Sequence, residues 1–383
     1  MPWEESTSLS QRLLFCQLAR ETCCNFSHLT REFGISRKTG YKGLERFDQH
    51  GEAGLQDQSR RPLSHSRQLS PETIAALLAL KETYPFWSAG KLHPLLAKHT
   101  GENAPSLRSV QRVLEQHGLT KEVRPLAIPE AVGRFERTHP NALWQMDFTS
   151  YIILPDGTKI YPLPILDDHS RFCLSLTLWQ DCSEKSALAG LGQALHQYGC
   201  PQQVLTDHGS AFGTSRRYVS AFTAYSWASG IDHIQGRVAH PQTQGKTERF
   251  NRSLQDECLR RHCHSHFTEW QQEVEAYRVL YNTVRPHQSL ANMPPISRYH
   301  SSERAFVEPD KHWHPSEATW QHRKVGADGK IWLFSHQIHV SAGLYGWTVS
   351  ARHEGQGLWT VLFRGHELCQ AQVTRPAIHT PRP

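Results

Sequence analysis

The stretch from Asn141 to about residue 262 limits the fold more than any other, because its hydrophobic period switches between strand and helix in a definite order. LWQMDFT, KIYPLPIL and RFCLSLTL are short apolar runs that read as strands. Turns at Pro155, Asp156 and Gly157 and at Asp167, Asp168, His169 and Ser170 separate them. Ser183 then caps a helix in which Leu188, Leu191, Leu195 and Tyr198 recur at helical spacing. QQVLT is a strand ending at Asp207, a helix spans about 216–229, residues 231–234 form another strand, and 247–262 a long helix. Three strands, helix, strand, helix, strand, helix predicts an α/β layer fold with one mixed sheet, over about residues 138–305.

The flanks obey other periods. In residues 1–55, Leu13, Leu14 and Leu18 mark one helical face. A short helix at 27–33 opens on a Ser cap and stops at Gly34. Another, opened by Ser36, Arg37 and Lys38, places Tyr41, Leu44 and Phe47 on its buried side. Short helix, Gly-containing turn, helix is helix-turn-helix spacing, in which Arg37, Lys38 and Lys42 would face the major groove of DNA; the alternative is a plain three-helix scaffold with solvated charges. Residues 56–69 lack periodicity and read as a basic linker, in which Arg60 and Arg61 suit either an arm along DNA or a plain tether. Ser70 and Pro71 start a second helical block, 70–125, with helices near 91–98 and 107–117. Ser106 caps the last, and Arg108 and Arg112 share its exposed stripe, so a second helix-turn-helix is expected. After Pro309, short strands between Gly-containing turns predict a small β-barrel-like or sandwich module over 320–375.

A chain of 383 residues exceeds one ordinary core, so several domains are expected. Residues 1–140 carry 19 Lys and Arg against 15 Asp and Glu, 141–300 carry 14 against 14, and 301–383 carry 9 against 7. Positive flanks around a neutral centre suit a nucleic-acid partner as well as ordinary surface charge. No uncharged apolar run of about eighteen residues appears, so a membrane span is not expected. The N-terminus lacks the basic-then-apolar ramp of a signal peptide. Nine irregularly spaced cysteines, Cys23 and Cys24 adjacent, suit reduced thiols and a cytoplasmic location.

The candidate chemistry lies in three acids. Asp147 sits within an apolar strand, where a carboxylate is costly unless paired or bound to metal. Asp207 ends the VLTD strand, the usual place for function in an α/β sheet. Glu248 lies in the first turn of a helix behind PQTQGKT. Mg²⁺ takes oxygen ligands, and three acids on neighbouring elements can hold two ions about 4 Å apart for phosphodiester chemistry. Asp167 and Asp168 compete as ligands but have the composition of a turn, and Glu257 competes with Glu248. Lys246, Arg249 and Arg252 accompany Glu248, and Arg252 falls on its face, where it can meet a phosphate. His262, Cys263, His264 and His266 suggest zinc but lack the separated partner pair of a zinc site, so a solvated helix end is preferred.

WQMDFTSY, ILDDHSRFCLSL, VLTDHGSAF, HPQTQGKTERFNRSLQDE and YNTVRPHQSLANMPPISRY together resemble bacterial insertion-sequence transposases with a retroviral-integrase-type core. The resemblance covers about residues 140–300, its five motifs stand in family order, and ISRKTGYKGLERF with SRRP agrees with the same group. It implies a ribonuclease-H-like fold and a DDE triad at Asp147, Asp207 and Glu248, served by Mg²⁺ or Mn²⁺. His208 stands where the family usually has Asn, and the 40 residues between Asp207 and Glu248 are a few more than usual. Arg285, Pro286 and His287 match a family signature, yet packing of the final core helix explains them equally. The implied activity is binding of element-end inverted repeats, strand cleavage, and joining of the 3′-hydroxyl to target DNA by a homodimer or larger assembly. A DNA-binding regulator that no longer cuts is the alternative.

Overall fold

The computed structural model describes residues 7–22, 24–57, 69–120, 136–213, 218–236 and 245–373. They fall into two compact units, Met1–Gln68 and Leu69–Pro383.

In the first unit, α1 (Ser8–Ala19), α2 (Phe26–Glu32) and α3 (Arg37–His50) enclose Phe15, Cys16 and Leu29. Helix α2 is capped two residues earlier than expected: Asn25, not Ser27, caps it, its side-chain oxygen accepting from the His28 N–H at 3.2 Å. Ser27 falls inside the first turn, where its carbonyl accepts from the Thr30 hydroxyl. Ser36 caps α3 as expected. The buried side of α3 differs at its start. Tyr41 is exposed and stacks on Phe26 with ring centroids 4.1 Å apart, while Gly40 is the buried residue. A Cβ at Gly40 would lie 2.8 Å from the Phe15 ring, so the close approach of α1 and α3 depends on glycine.

The second unit opens with α4 (Pro71–Thr83), α5 (Ala89–Thr100) and α6 (Leu107–Gln116), capped by Ser70 before α4 and Ser106 before α6. Leu77, Leu92, Leu96, Val110 and Leu114 form their core, and Leu280 and Val284 of a later segment pack on it. Each fully buried Leu is worth about 1.5–3 kcal/mol in transfer free energy.

Strands β1 (Leu143–Met146), β2 (Ile152–Ile153), β3 (Lys159–Asp167), β4 (Cys173–Trp179), β5 (Gln203–Thr206) and β6 (Asp232–Gln235) build one mixed sheet. β3 pairs antiparallel with β4 on one edge and β1 on the other, β1 pairs parallel with β5, and β5 parallel with β6. Helix α7 (Glu184–Tyr198), capped by Ser183, buries Ala187, Leu191, Ala194 and Leu195 with Trp144, Ile165 and Val204. Two expectations change. Asp147 follows the last residue of β1 instead of lying within the strand. The helix expected at 216–229 is the shorter α8 (Ala221–Ala228), because Ser220 caps it through the Thr223 N–H.

Helix α9 (Gly245–Leu254) continues into a π-helical turn at Gln255–Leu259 and stops there, short of the expected 262. The wide turn coincides with the inward placement of Glu257 and Cys258. Helix α10 (Phe267–Thr283) covers the face of the sheet opposite α7, with Trp270, Val274, Tyr277 and Tyr281 packed on Leu166, Leu176 and Leu178.

The C-terminal module contains β7 (Gln321–Lys324), β8 (Lys330–Leu333), β9 (His336–His339), β10 (Thr348–Gly355), β11 (Leu358–Phe363) and β12 (His366–Gln372). A β12-β11-β10-β7 antiparallel sheet and a β8-β9 hairpin share one core around Trp347, Trp359 and Phe363. The module packs on α8: Ser341 Oγ donates to the Val219 carbonyl at 2.6 Å, and Gly343 lies against the Val219–Ala221 backbone with no space for a Cβ.

Candidate active site

Leu143 pairs with Gln203, Trp144 with Val204 and Gln145 with Leu205. Carried two residues further, this parallel register sets Asp147 opposite Asp207, just past the carboxyl ends of two central strands. Asp207 is held by its own turn, its Oδ1 accepting from the Gly209 N–H at 2.9 Å. Glu248 projects from the first turn of α9. Burial, then the neighbouring charges of Asp207 and Glu248, push the Asp147 carboxyl up to about 7. Among the described residues, no Lys or Arg forms an ion pair with any of the three acids.

A buried network fixes α9 against β1. The Thr247 hydroxyl donates to Gln145 Oε1 at 2.9 Å, Gln145 Nε2 donates to Asp168 Oδ1 at 2.7 Å, and the Lys246 ammonium pairs with that same oxygen. Lys246, expected at the DNA backbone, is therefore committed to Asp168. Asp168 also accepts from the Arg137 backbone N–H, and Asp167 accepts from the N–H groups of Asn141 and Ser170, each at 2.7 Å. Both rival acids are filled by protein donors. Glu257 is filled as well, with Arg285 Nη2 at 2.7 Å, Lys91 Nζ at 2.6 Å and Trp87 Nε1 at 3.0 Å. Burial alone would raise its carboxyl, but the hydrogen bonds and charges of Arg285 and Lys91 bring it down to about 2. Arg285 thus packs the final core helix, and Glu257 joins α5 to the core.

An open cleft of about 440 Å³ follows α9 at Glu248, lined also by Thr149, Ser150, Asn251, Arg252, the π-turn residues Gln255 and Asp256, and Arg260 just after the turn. Arg249 is exposed on the same helix. Sequence reasoning missed Asn251 and Arg260; Asn251, three residues after Glu248, carries the helical spacing signal that found Arg252, whereas Arg260, beyond the π-turn, carries none. In α3, Arg37, Lys38 and Lys42 are all exposed, as are Arg108 and Arg112 in α6. Arg60 and Arg61 lie outside the described residues.

The three acids suit a divalent cation by donor type and by the charge repulsion at Asp147. Among the described residues their oxygens do not all come within 4.8 Å of one another.

Helix-turn-helix units before a mixed sheet with paired strand-end acids define an integrase-type core joined to DNA-binding modules. Residues 137–241 and 229–295 match the Integrase core domain family, 12–62 the Helix-turn-helix domain and 39–114 the Homeodomain-like domain. The insertion element IS476 uncharacterized 39.2 kDa protein of Xanthomonas euvesicatoria is 30% identical over 251 residues, covering 63% of this chain and 69% of that one. The insertion element IS407 uncharacterized 31.7 kDa protein of Burkholderia multivorans is 28% identical over 200 residues, covering 52% and 67%. The chain belongs to the bacterial insertion-sequence transposases with an integrase-type core. Among solved structures, the simian T-cell lymphotropic virus intasome in complex with PP2A regulatory subunit B56 gamma is similar at 15% identity, covering 78% of this chain and 99% of that one, with a TM-score of 0.38. The magnesium-bound HTLV-2 integrase catalytic core is similar at 19% identity, covering 43% and 99%, with a TM-score of 0.32. Among the described residues no helix is long and apolar enough to cross a membrane.

Proposed function

We propose that this chain cleaves the strand at each end of its element and joins the freed 3′-hydroxyl to target DNA, using Asp147, Asp207 and Glu248 as ligands for divalent metal ions, Mg²⁺ or Mn²⁺. The observation that carries this reading is a set of three acids with no Lys or Arg ion pair among the described residues, Asp147 being pushed up to about 7 by burial first and then by the charges of Asp207 and Glu248. Metal ions held by these three carboxylates would supply Lewis-acid stabilisation of the charge that develops on the phosphate. The protein's own contribution is position. The register of β1 and β5 sets the two aspartates side by side, and Thr247, through Gln145, holds the start of α9 so that Glu248 faces them. Asp147 would hold a cation in its deprotonated form. Arg252 and Arg260 line the cleft and Arg249 is exposed on α9, so these three can hold the phosphate backbone without reading sequence.

Arg37, Lys38 and Lys42 at the start of α3 carry recognition of the inverted repeats, with Arg60 and Arg61 as an accompanying arm and Arg108 and Arg112 of α6 as a second contact. Two ends must meet for joining, so a homodimer or larger assembly forms on the DNA. One assay separates this reading from its rivals: purified protein, labelled element-end DNA, a target plasmid and Mg²⁺. Cleavage with joined product is expected. Binding without cleavage marks a regulator, and cleavage without joining marks a nuclease.

A further inference from the structure

Among the described residues a cluster of potential metal ligands lies away from the three acids, where the segment after the π-turn meets α10. His262 Nε2 stands 3.1 Å from Glu273 Oε1, and His264 Nε2 stands 3.5 Å from Glu273 Oε2. Of all described His, Cys, Asp and Glu residues, these three alone bring three ligand atoms within 4.8 Å of one another. Residues 262 and 264 alternate about Cys263, whose thiol is exposed, so both imidazoles face the same way, and their rings lie nearly parallel with centroids 5.7 Å apart. His264 Nε2 is buried and has no hydrogen-bond partner. An imidazole nitrogen shielded from water and aimed at a carboxylate, yet making no hydrogen bond to it, is a costly arrangement for a side chain and an ordinary one for a metal ligand.

The backbone holds this arrangement independently of any ion. Glu269 Oε2 accepts from the N–H groups of Ser265 and His266, each at 3.1 Å, and the Trp270 indole donates to the His264 carbonyl at 3.2 Å. The Trp270 ring also meets the His264 imidazole edge-on, with centroids 5.0 Å apart. The partner that the sequence pattern lacks is thus supplied by the second turn of the next helix. In a tetrahedral zinc site with bonds of about 2.0–2.1 Å, neighbouring ligand atoms lie roughly 3.4 Å apart, and the two observed separations bracket that value. Two imidazoles and one carboxylate are a donor set for zinc or a similar transition cation, not for Mg²⁺, which prefers oxygen alone.

We propose that His262, His264 and Glu273 bind one Zn²⁺-class cation, with water in the fourth position, as a clip that fastens the end of the α9 π-turn segment to α10. The clip acts on the element that carries Glu248 without sharing a ligand with the three acids.

Cobalt(II) added to the full chain after chelator dialysis tests this. The expected result is one equivalent bound, with the strong visible bands of tetrahedral cobalt, no thiolate charge-transfer band, and one-for-one displacement by zinc. Glu273→Gln and His264→Asn should each weaken binding by at least about tenfold, the lower end of what loss of even an outer-shell partner costs, with circular dichroism unchanged, and Cys263→Ser should leave it intact. Only the weak spectrum of six-coordinate cobalt, a thiolate band, or binding undiminished in both Glu273→Gln and His264→Asn would overturn the proposal. The readout involves no DNA, so its outcome is independent of the strand-transfer reading.

Discussion

Thr247 donates its hydroxyl to the side-chain oxygen of Gln145 across 2.9 Å, joining the residue before Glu248 to the residue two before Asp147. Both partners are buried, at 1% and 2% exposure. The same glutamine reaches Asp168, which holds Lys246, so two successive residues of α9 are tied to one strand. This is how a helix start following residues 237–244, outside the described structure, comes to a defined position against the sheet.

Thr247→Val keeps the shape and removes the donor, leaving Gln145 Oε1 buried without a partner. It should cost about 1–3 kcal/mol in stability. Strand joining should fall by roughly ten- to a hundredfold, the order that displacing a reacting group by an ångström costs, with affinity for element-end DNA within about twofold. Denaturant titration, gel-shift and joining assays measure the three effects. Unchanged joining would show that the network does not position Glu248.

The Asp147 carboxyl is raised on folding from 3.8 to about 7. A group whose folded pKa is raised contributes stability that is full below pH 4 and is lost as pH rises through 7. In chelator, the wild type should therefore lose stability between pH 5 and 8 relative to Asp147→Asn, which lacks this titration. Affinity for Mg²⁺ should rise over the same interval as the competing proton leaves. Denaturation midpoints for both proteins at the two pH values check the first claim, and magnesium titration checks the second.

Glu257 gives the opposite sign. Its folded pKa is lowered from 4.5 to about 2 by Arg285 and Lys91 against the effect of burial. Its contribution is present above pH 4.5 and lost as pH falls through 2. Removing one partner of a buried pair costs about 3–5 kcal/mol, so Glu257→Ala should lower the melting temperature strongly. Glu248→Gln should leave melting nearly unchanged and abolish joining. A stable Glu257→Ala protein without activity would return Glu257 to the list of metal ligands.

Much of this was legible in sequence for a physical reason. Strand-end position marked Asp207, and Ser36, Ser70, Ser106 and Ser183 announced helix starts, because caps and hydrophobic periods are local signals. What was missed is long-range. Nothing near residue 257 shows that Trp87, Lys91 and Arg285 will surround it, and nothing near His262 shows that Glu273 will face it from the next helix. Tyr41 has the right spacing for burial, but the buried seat went to Gly40 because Phe15 lies too close for a side chain there. Asp147 looks interior to a strand because LWQMDFT is apolar on both sides, whereas pairing stops at Met146.

Arg37, Lys38 and Lys42 are exposed at the start of α3. If they meet phosphates, each Ala substitution should weaken binding and reduce the slope of log affinity against log salt by about 0.9. If one of them reads a base, its substitution should relax specificity at that position instead, which competition with altered inverted repeats measures. No change in either quantity would remove α3 from the interface.

The most direct test of the central claim is strand joining by Asp207→Asn. This variant keeps the turn's size and removes the charge beside Asp147. Given element-end DNA with its 3′-hydroxyl already free, a target plasmid and Mg²⁺, it should bind the ends as the wild type does and give no joined product. Joined product at the wild-type rate would contradict the assignment of Asp147, Asp207 and Glu248 as the site of phosphoryl transfer.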